Sequence, residues 1–561
     1  MTVMLLFLLL PSQASTAFVA AGRGVHLAQH MRTRHQVSPA ARPAKPDLRM
    51  VVAPLPAPLL SLRGGLSVPT GLPALPTTPS GVFNLLFYAL AAACGALALA
   101  VRERAGDAST AAREEMPPNM RRLQRQFLAV FWLYKMADWL QGPYFYEVYS
   151  SKIFGGTPAT EQMVALLFLV GFGSTAIFGT FIGGAVDLLG RRAGSLCFAL
   201  LYAISALSTR AVQLPMLLAG RLAGGLGTSL LFSAPEAWFV SEHAKLGIDG
   251  KWLGQTFGLA YFVDSLVAIT AGRLAGFAAA KRGPSAPFEL SVLFLAAGAA
   301  VAASSWRENF GGSKAAGPTT VAVAATADEV AEKSEEGAGA ADADVSEATA
   351  MGDGEGGGQI VGEAIAALRS DAKIQLVGAV QALFEGAMYI FVLQWPPAMK
   401  RALHGAVGGI PFGLVFSCFM VCCMIGSTAF SALVRNKVPI EQGMQYMLLA
   451  AAVAMSTATA ACARGAVVPL VAAFFAFEAC VGFYFPAIGS LRSAYLPDAY
   501  RGVIMNLYGV PLNLIVVAVF LSIGKLGVQG ALTCSASALG LAAFAQLTLR
   551  VLVSKETAET D

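Results

Sequence analysis

The sequence contains a long series of apolar runs, each close to 20 residues in length. A helix of about 20 apolar residues spans the hydrocarbon core of a bilayer and satisfies its backbone hydrogen bonds within itself. Charged residues make up 13% of the chain, whereas about 25% is usual in soluble domains. The sequence therefore predicts an all-α polytopic membrane protein. The predicted helices, within a few residues, are 81–101, 126–149, 162–186, 193–210, 213–240, 252–279, 288–304, 373–396, 411–434, 443–462, 466–490, 501–524 and 529–552.

A polar segment divides these helices into groups. Residues 311–358 are rich in glycine, alanine and acidic side chains, and such a composition cannot bury a core. One helix and then six precede this segment, and six follow it. The predicted divisions are a signal or transit presequence (1–50), a linker (51–80), an extra transmembrane helix (81–101), a first six-helix bundle (126–304), a largely disordered cytosolic linker (305–372), a second six-helix bundle (373–552) and a cytosolic tail (553–561).

The first 50 residues have the composition of targeting signals. Residues 1–17 combine a short apolar core with a small-residue cleavage site, which is typical of a signal sequence. Residues 18–50 are basic, as transit peptides are. The junction Ser15-Thr16-Ala17-Phe18 resembles the bipartite presequences of algae with secondary plastids. A plastid-envelope destination and an ordinary secretory or signal-anchor start both remain open.

The string GGAVDLLGRR, from Gly183 to Arg192, lies between the second and third helices of the first bundle. It resembles the signature loop of the major facilitator superfamily, and this resemblance implies a fold of two six-helix bundles. Its conformational residues are Gly183, Asp187, Gly190, Arg191 and Arg192. About 20 basic residues lie in loops on the side of this string and about 8 on the opposite side, so the positive-inside rule predicts that the string is cytosolic.

Polar side chains lie inside several apolar runs, where a charge is costly and normally faces a cavity or a partner. Lys135 and Asp138 are three residues apart on one helix, so they are expected to touch. Arg221 is expected either to pair with an acid such as Asp138 or to meet an anion. Asp264 and Arg273 have no partner that is evident from the sequence. The candidate substrate-binding or coupling residues are Asp138, Gln141, Tyr144, Arg221, Glu236, Gln381, Glu385, Tyr389, Glu478 and Asn506.

Four strings inside the helices resemble one branch of the superfamily, the molybdate-anion transporters. These strings are ADWLQGPY (137–144), LLFSAPEAW (230–238), QALFEGAMYIFV (381–392) and EACVGFYFP (478–486). The resemblance covers about residues 81–552 and includes the extra first helix. It implies alternating-access transport of molybdate, a tetrahedral dianion, across a membrane, and it favours the cell membrane over the plastid envelope.

A dianion in a site of low dielectric constant needs cationic or hydrogen-bonding donors. Arg221 is the best cation available, because Lys135 has Asp138 within reach. Four of the candidate residues are acids, and ionised acids repel an anion. We therefore hypothesise that at least one acid is protonated during transport, which makes protons a candidate coupling ion. The alternative is that the acids pair with basic residues and never meet the substrate.

Two other functions remain open from the sequence. One is a facilitator for another small solute, such as sulfate or a sugar, and the other is a non-transporting membrane sensor. No nucleophile–base constellation, metal-ligand spacing or phosphate loop stands out, and the eight cysteines fall in or beside apolar runs. We therefore expect no enzymatic activity, no metal, no cofactor and no nucleic-acid partner. The expected partners are the lipid bilayer and a small anion.

Overall fold

The computed structural model describes residues 78–103, 116–310, 356–404, 409–497 and 501–560. These residues belong to one compact unit and are almost entirely helical. The presequence predicted at 1–50 lies outside the described residues. The helices are α1 (Pro79–Glu103), α2 (Pro118–Gln141), α3 (Phe145–Ser150), α4 (Glu161–Leu189), α5 (Arg191–Ser208), α6 (Leu214–Leu231), α7 (Ala234–Leu246), α8 (Lys251–Arg282), α9 (Ala286–Ser305), α10 (Gly356–Ser370), α11 (Ala372–Ala402), α12 (Phe412–Arg435), α13 (Ile440–Arg464), α14 (Val467–Tyr495), α15 (Arg501–Leu521) and α16 (Ile523–Thr560). A 3-10 turn (Gly142–Tyr144) joins α2 to α3, and a short hairpin pairs β1 (Ile153–Phe154) with β2 (Thr157–Pro158).

The prediction of an all-α polytopic membrane protein is confirmed. Within the described residues, 11 segments are long and apolar enough to cross a membrane. Two further predicted helices are present as α2 and α5 but fall short of that apolarity. Polar residues within these two helices lower their apolarity. Helix α2 carries Lys135, Asp138 and Gln141, and α5 begins with Arg191 and Arg192.

Proline divides two of the predicted membrane helices into shorter pieces. Pro143 lies in the 3-10 turn between α2 and α3, and Pro235 lies in the first turn of α7, just after the break that follows α6. Proline has no backbone N–H, and its ring crowds the preceding turn, so a helix bends or restarts at that point. The second break places Glu236 in the first turn of a new helix.

Two helices occupy residues for which the sequence predicts other structure. Residues 305–372 are predicted to be a largely disordered linker, but residues 356–370 form α10. Ala364 is buried, and Ala367 and Leu368 pack against the core, so an apolar stripe anchors this helix. The predicted tail also continues as helix, because α16 ends at Thr560.

The two halves of the bundle, α2–α9 and α11–α16, meet closely where α8 crosses α12. The Ser417 hydroxyl donates a hydrogen bond to the carbonyl oxygen of Ile269 (2.8 Å). A Cβ atom added at Gly272 or at Gly413 would collide with the backbone of the facing helix. Glycine is therefore required on both sides of this crossing.

Further contacts between the halves lie at the same end of the bundle. The Lys400 ammonium is 2.5 Å from the Glu147 carboxylate, and the rings of Phe172 and Tyr389 have centroids 4.7 Å apart. These residues lie toward the end opposite to the α4–α5 loop, which carries the signature string. Within the described residues, hydrogen bonds, an ion pair and ring contacts join the halves toward this end. The structure therefore represents a state in which this end is closed.

A glycine inside the second half provides a test of the packing. A Cβ atom at Gly426 of α12 would collide with the backbone of Ala479 in α14. The string GSTA, which begins at Gly426, also begins at Gly173 of α4, and Gly173 has open space beside it. We expect Gly426→Ala to lower the free energy of unfolding by about 1–3 kcal/mol. Gly173→Ala is the control and should change it by no more than about 0.5 kcal/mol. Thermal unfolding in detergent measures both, and equal losses would contradict the close contact.

Candidate functional site

Helices α2, α7 and α8 bring charged side chains together inside the first half. The Lys135 ammonium lies 3.4 Å from the Asp264 carboxylate, and both side chains are buried. Trp139 Nε1 donates a hydrogen bond to the same carboxylate (2.8 Å). Nearby, the Tyr261 hydroxyl donates to Glu236 Oε1 (2.5 Å). We call these five residues the first-half polar cluster.

The expected pair of Lys135 and Asp138 does not form. Lys135 is paired with Asp264 on another helix, and Asp138 instead accepts a hydrogen bond from the Tyr202 hydroxyl of α5. Residues three apart on one helix are neighbours, but their side chains diverge when each has a better partner on a facing helix. The sequence analysis therefore identified Asp264 as a buried charge but did not identify its partner.

Arg221 of α6 is surrounded by neutral groups. Its Nε donates to the carbonyl oxygen of Leu167 (3.2 Å), and its guanidinium carbon lies 4.4 Å from the centre of the Phe145 ring. The Tyr149 hydroxyl is also in hydrogen-bonding contact with it. In the described part of the chain, no carboxylate forms an ion pair with Arg221. The expected pairing with Asp138 is thus not observed.

Tyr202 connects Asp138 with the surroundings of Arg221. Its hydroxyl donates to the Asp138 carboxylate and is also in hydrogen-bonding contact with Thr228. Thr228 lies two turns beyond Arg221 on α6, and its own hydroxyl donates to the carbonyl oxygen of Gly224 (2.9 Å). The sequence analysis did not select Tyr202, because a tyrosine inside an apolar run is common and carries no charge.

Gln141 and Tyr144, at the end of α2 and in the turn after it, have separate roles in packing. Gln141 is buried, and its amide nitrogen donates to the Ser291 hydroxyl of α9 (3.1 Å), within the first half. The Tyr144 ring makes an edge contact with Phe412 of the other half, with ring centres 6.0 Å apart. Tyr144 therefore lies at the closed end of the bundle.

In the second half, α11 carries Gln381, Glu385 and Tyr389 at four-residue spacing. The Tyr484 hydroxyl of α14 donates to Glu385 Oε1 (3.0 Å), and Gln381 is in hydrogen-bonding contact with the same carboxylate. Gln381 Oε1 is buried and has no hydrogen-bond partner among the described residues. The structure thus gathers three of the predicted residues along one helix, beside Tyr484, which lies in the string EACVGFYFP but is not among the candidates.

Glu478 lies apart from these groups. It is buried between α14 and α12, and the Cys423 thiol donates to its Oε2 (3.1 Å). A Cβ atom added at the nearby Gly482 would collide with the Cys423 backbone. This is a closely packed contact within one half. The side chain of Asn506, the last of the candidates, lies outside the described residues.

The signature string forms a braced turn between α4 and α5. Asp187 Oδ1 lies 2.8 Å from Arg191 Nη2, and Gly190 has a φ of 108°, which favours glycine. Gly183 belongs to the last turns of α4. The Glu308 carboxylate accepts hydrogen bonds from the backbone N–H groups of Arg192 (2.8 Å) and Ala193 (3.0 Å).

Glu308 was missed from the sequence. An acid at the start of a helix satisfies free N–H groups and interacts favourably with the helix dipole. Glu308 supplies this acid from 116 residues away in sequence, beyond the end of α9. The available signal was the lone acid Glu308 directly after the sixth helix of the bundle, but no local pattern connects it with α5.

The chain matches a family model described as "Sugar-transporters, 12 TM" over residues 82–336 and 358–483. It is 31% identical over 446 residues to the molybdate-anion transporter of Takifugu rubripes, covering 76% of this chain and 84% of that protein. It is 30% identical over 443 residues to the molybdate-anion transporter of Danio rerio, covering 77% of this chain and 85% of that protein.

Two solved structures share the fold. One is an auto-inhibited peptide transporter of the POT family, with a TM-score of 0.55, 13% identity, and coverage of 77% of this chain and 97% of that chain. The other is a D-xylose-proton symporter, with a TM-score of 0.53, 13% identity, and coverage of 76% and 96%. The helical architecture and the polar side chains inside it define a multi-pass membrane transporter of the major facilitator type. Within that superfamily, the chain belongs to the family of molybdate-anion transporters.

The ion pair between Lys135 and Asp264 gives a testable prediction. Lys135→Met leaves a buried carboxylate without its cation, which costs about 3–5 kcal/mol of folding free energy. The double variant Lys135→Met with Asp264→Asn removes the charge while keeping an acceptor for Trp139, so it should recover most of that loss. Thermal unfolding of the single and double variants in detergent measures the difference. A double variant as unstable as the single one would show that Lys135 does not stabilise the fold by neutralising Asp264.

Proposed function

We propose that this protein is a secondary transporter that moves molybdate across a membrane by alternating access of its two halves. The relatives named as molybdate-anion transporters support the substrate. The observation that carries the proposal is Arg221, a half-buried guanidinium inside a membrane helix whose contacts are a carbonyl, an aromatic ring and hydroxyl groups. A charged side chain inside a membrane helix is costly, and such side chains usually line a substrate or ion pathway.

The chemistry around Arg221 suits an oxyanion. A guanidinium presents five N–H donors in a rigid fork that fits planar pairs of oxygen atoms. The Tyr149 hydroxyl contacts the guanidinium, and the Tyr202 hydroxyl, which also contacts Thr228, interacts with it electrostatically. Hydrogen bonds to a charged group are shorter and stronger than neutral ones. We therefore assign Arg221 as the main substrate-binding cation, with these hydroxyls as secondary donors.

The second half contributes neutral and acidic groups. Gln381 carries amide N–H donors, one of which contacts Glu385, and Tyr389, whose hydroxyl is a further donor, contacts Phe172 across the interface between the halves. We assign Gln381 and Tyr389 as the groups of this half that meet the substrate. Glu385 is held by Tyr484, and Glu478 is held by Cys423. We assign these two acids to the packing of the second half.

The contacts between the halves support alternating access. Lys400 and Glu147 are partly exposed, with 39% and 23% of their side-chain surfaces accessible. Breaking such a pair costs little, because exposed ion pairs are worth about 0–1 kcal/mol. The ion pair and the crossing of α8 with α12 therefore form a closed end that can reopen. The signature loop lies at the other end, where we expect the closing contacts of the alternate state.

Uptake of labelled molybdate into transport-deficient cells tests the substrate and the role of Arg221. We expect wild type to take up molybdate, and Arg221→Ala to reduce uptake by about tenfold to a hundredfold, as loss of a charged hydrogen bond predicts. Arg210→Ala is the matched control, because Arg210 is an exposed arginine paired with Glu289. Equal uptake by both variants at equal surface expression would remove Arg221 from the site. Competition by excess sulfate would show the breadth of the anion specificity.

Proton coupling follows from an excess of acids in the first half. Asp138, Glu236 and Asp264 surround a single lysine, Lys135, within the membrane helices. We propose that Asp138 gains a proton when the anion binds. A protonated Asp138 no longer requires the hydrogen of Tyr202, so that hydroxyl becomes free to donate toward an anion at Arg221.

The pH gradient tests this coupling. Wild-type uptake should rise when the side from which molybdate is taken up is made more acidic. Asp138→Asn should transport with little dependence on the gradient, since asparagine cannot take up the proton. Uptake rates at matched membrane potential, with and without a protonophore, measure the effect. If wild type and Asp138→Asn are both indifferent to the gradient, protons are not the coupling ion.

A sugar is the second candidate substrate, because the matching family model is described as sugar transporters. The same cells distinguish the two substrates. A sugar transporter would take up a labelled hexose or pentose and show no competition from molybdate. A molybdate transporter would show the reverse result.

The membrane in which the protein resides is part of the proposal. We propose the cell membrane, in line with the family resemblance, and the plastid envelope is the alternative that the N-terminal composition offers. A fluorescent protein fused after residue 60 and expressed in an alga with secondary plastids distinguishes them. Fluorescence in the plastid would overturn the assignment to the cell membrane.

A further inference from the structure

The extra helix α1 forms one wall of a polar cavity that is separate from the polar groups around Arg221. The cavity has a volume of about 520 Å³ and lies between α1, the end of α8 and the start of α12. Its polar lining residues are Ser80, Asn84, Tyr144, Glu147 and Arg273. We call it the α1 cavity. It touches both halves of the bundle, because α8 belongs to the first half and α12 to the second.

Arg273 gives this cavity a positive charge. Its Nη1 donates to Asn84 Oδ1 of α1 (3.2 Å), and its guanidinium carbon lies 5.0 Å from the centre of the Phe87 ring. Among the described residues, no carboxylate forms an ion pair with Arg273. Glu147 also lines the cavity, but its carboxylate is 2.5 Å from the Lys400 ammonium. Within the described residues, the Arg273 guanidinium is therefore a cation of the cavity that has no ion-pair partner.

The position of Arg273 makes this imbalance costly. It lies nine residues before Arg282, the last residue of α8, which places it about 14 Å along the helix from that end. A charged side chain on a membrane-spanning helix requires a partner or access to the headgroup zone. The guanidinium has five N–H donors, and the contact with Asn84 uses one of them.

The surroundings of Arg273 indicate which kind of molecule pairs with its guanidinium. Phe277 and Leu266 lie on the same face of α8 as Arg273, and they are 58% and 42% exposed. Leu85 on the neighbouring α1 is 51% exposed. These side chains offer an apolar surface to acyl chains directly beside a cationic cavity. A lipid with an anionic headgroup matches both features, whereas a free anion matches only the charge.

We propose that the α1 cavity binds the anionic headgroup of a membrane lipid, through an oxyanion held by Arg273 with Asn84 and Ser80 as neutral donors. The acyl chains lie along the exposed apolar faces of α8 and α1. The site is independent of the proposed substrate, because none of its lining residues contacts Arg221.

Native mass spectrometry of the purified full chain tests the proposal. The probes are phosphatidylglycerol and phosphatidylcholine of matched acyl chains, titrated in equal amounts. We expect the wild type to retain phosphatidylglycerol preferentially and Arg273→Ala to lower that preference by about tenfold, as loss of a charged hydrogen bond predicts. Arg464→Ala is the matched control, because Arg464 is an exposed arginine at the end of α13 and does not line the cavity.

A second variant keeps the test valid if Arg273→Ala does not fold. Ala280 lines the cavity and is exposed, so Ala280→Phe should obstruct the cavity while retaining Arg273, and it should also reduce the preference. An unchanged preference in the folded variants would overturn the proposal. A separate arm adds inorganic phosphate to the protein in phosphatidylcholine nanodiscs. Thermal stabilisation by phosphate equal to that by phosphatidylglycerol would show that the cavity takes a free oxyanion, which would contradict the assignment to lipid.

Discussion

The cost of placing a charge inside a membrane determines how the polar side chains of this protein are arranged. Lys135 and Asp264 neutralise each other across α2 and α8, and Trp139 completes the coordination of the carboxylate. Removing either charged partner would leave an uncompensated charge in a low-dielectric interior. Arg221 differs from this pattern, because its contacts within the described residues are neutral. Lys135 and Asp264 thus neutralise each other, whereas Arg221 has no carboxylate partner among the described residues.

Packing within the halves differs from packing between them. Inside the second half, Gly426 and Gly482 bring α12 and α14 into backbone contact, which no other residue permits without movement. Between the halves, one glycine crossing is accompanied by a partly exposed ion pair, Lys400 with Glu147. Close packing is lost only at a cost of several kcal/mol, whereas an exposed ion pair is weak. The ion pair can therefore break as the halves move, whereas the crossing of α8 with α12 is a close glycine contact that resists separation.

The fold was predictable from the sequence because it depends on length and apolarity, which are local properties. Eleven apolar segments follow from the residues in each segment, whereas the breaks at Pro143 and before Pro235 divide helices that were predicted as continuous. The partners of the polar side chains were not predictable, because they come from distant segments. Lys135 meets Asp264, and Asp138 meets Tyr202, where helical spacing alone favours contact between Lys135 and Asp138. Side chains on facing helices are brought together by tertiary packing, which periodicity does not encode.

The loops that follow α4 and α12 are held by different contacts in the two halves. The α4–α5 loop is tied to the end of α9, because Glu308 accepts hydrogen bonds from the first N–H groups of α5. The second half has no matching signature string after α12. There, Arg435 Nη1 donates instead to the carbonyl oxygen of Val101 in α1 (2.6 Å). The extra helix α1 therefore braces the end of α12 much as Glu308 braces the start of α5. Because α1 also contacts Arg273 of the first half through Asn84, any relative movement of α8 and α12 must change the contacts of α1 with one of them.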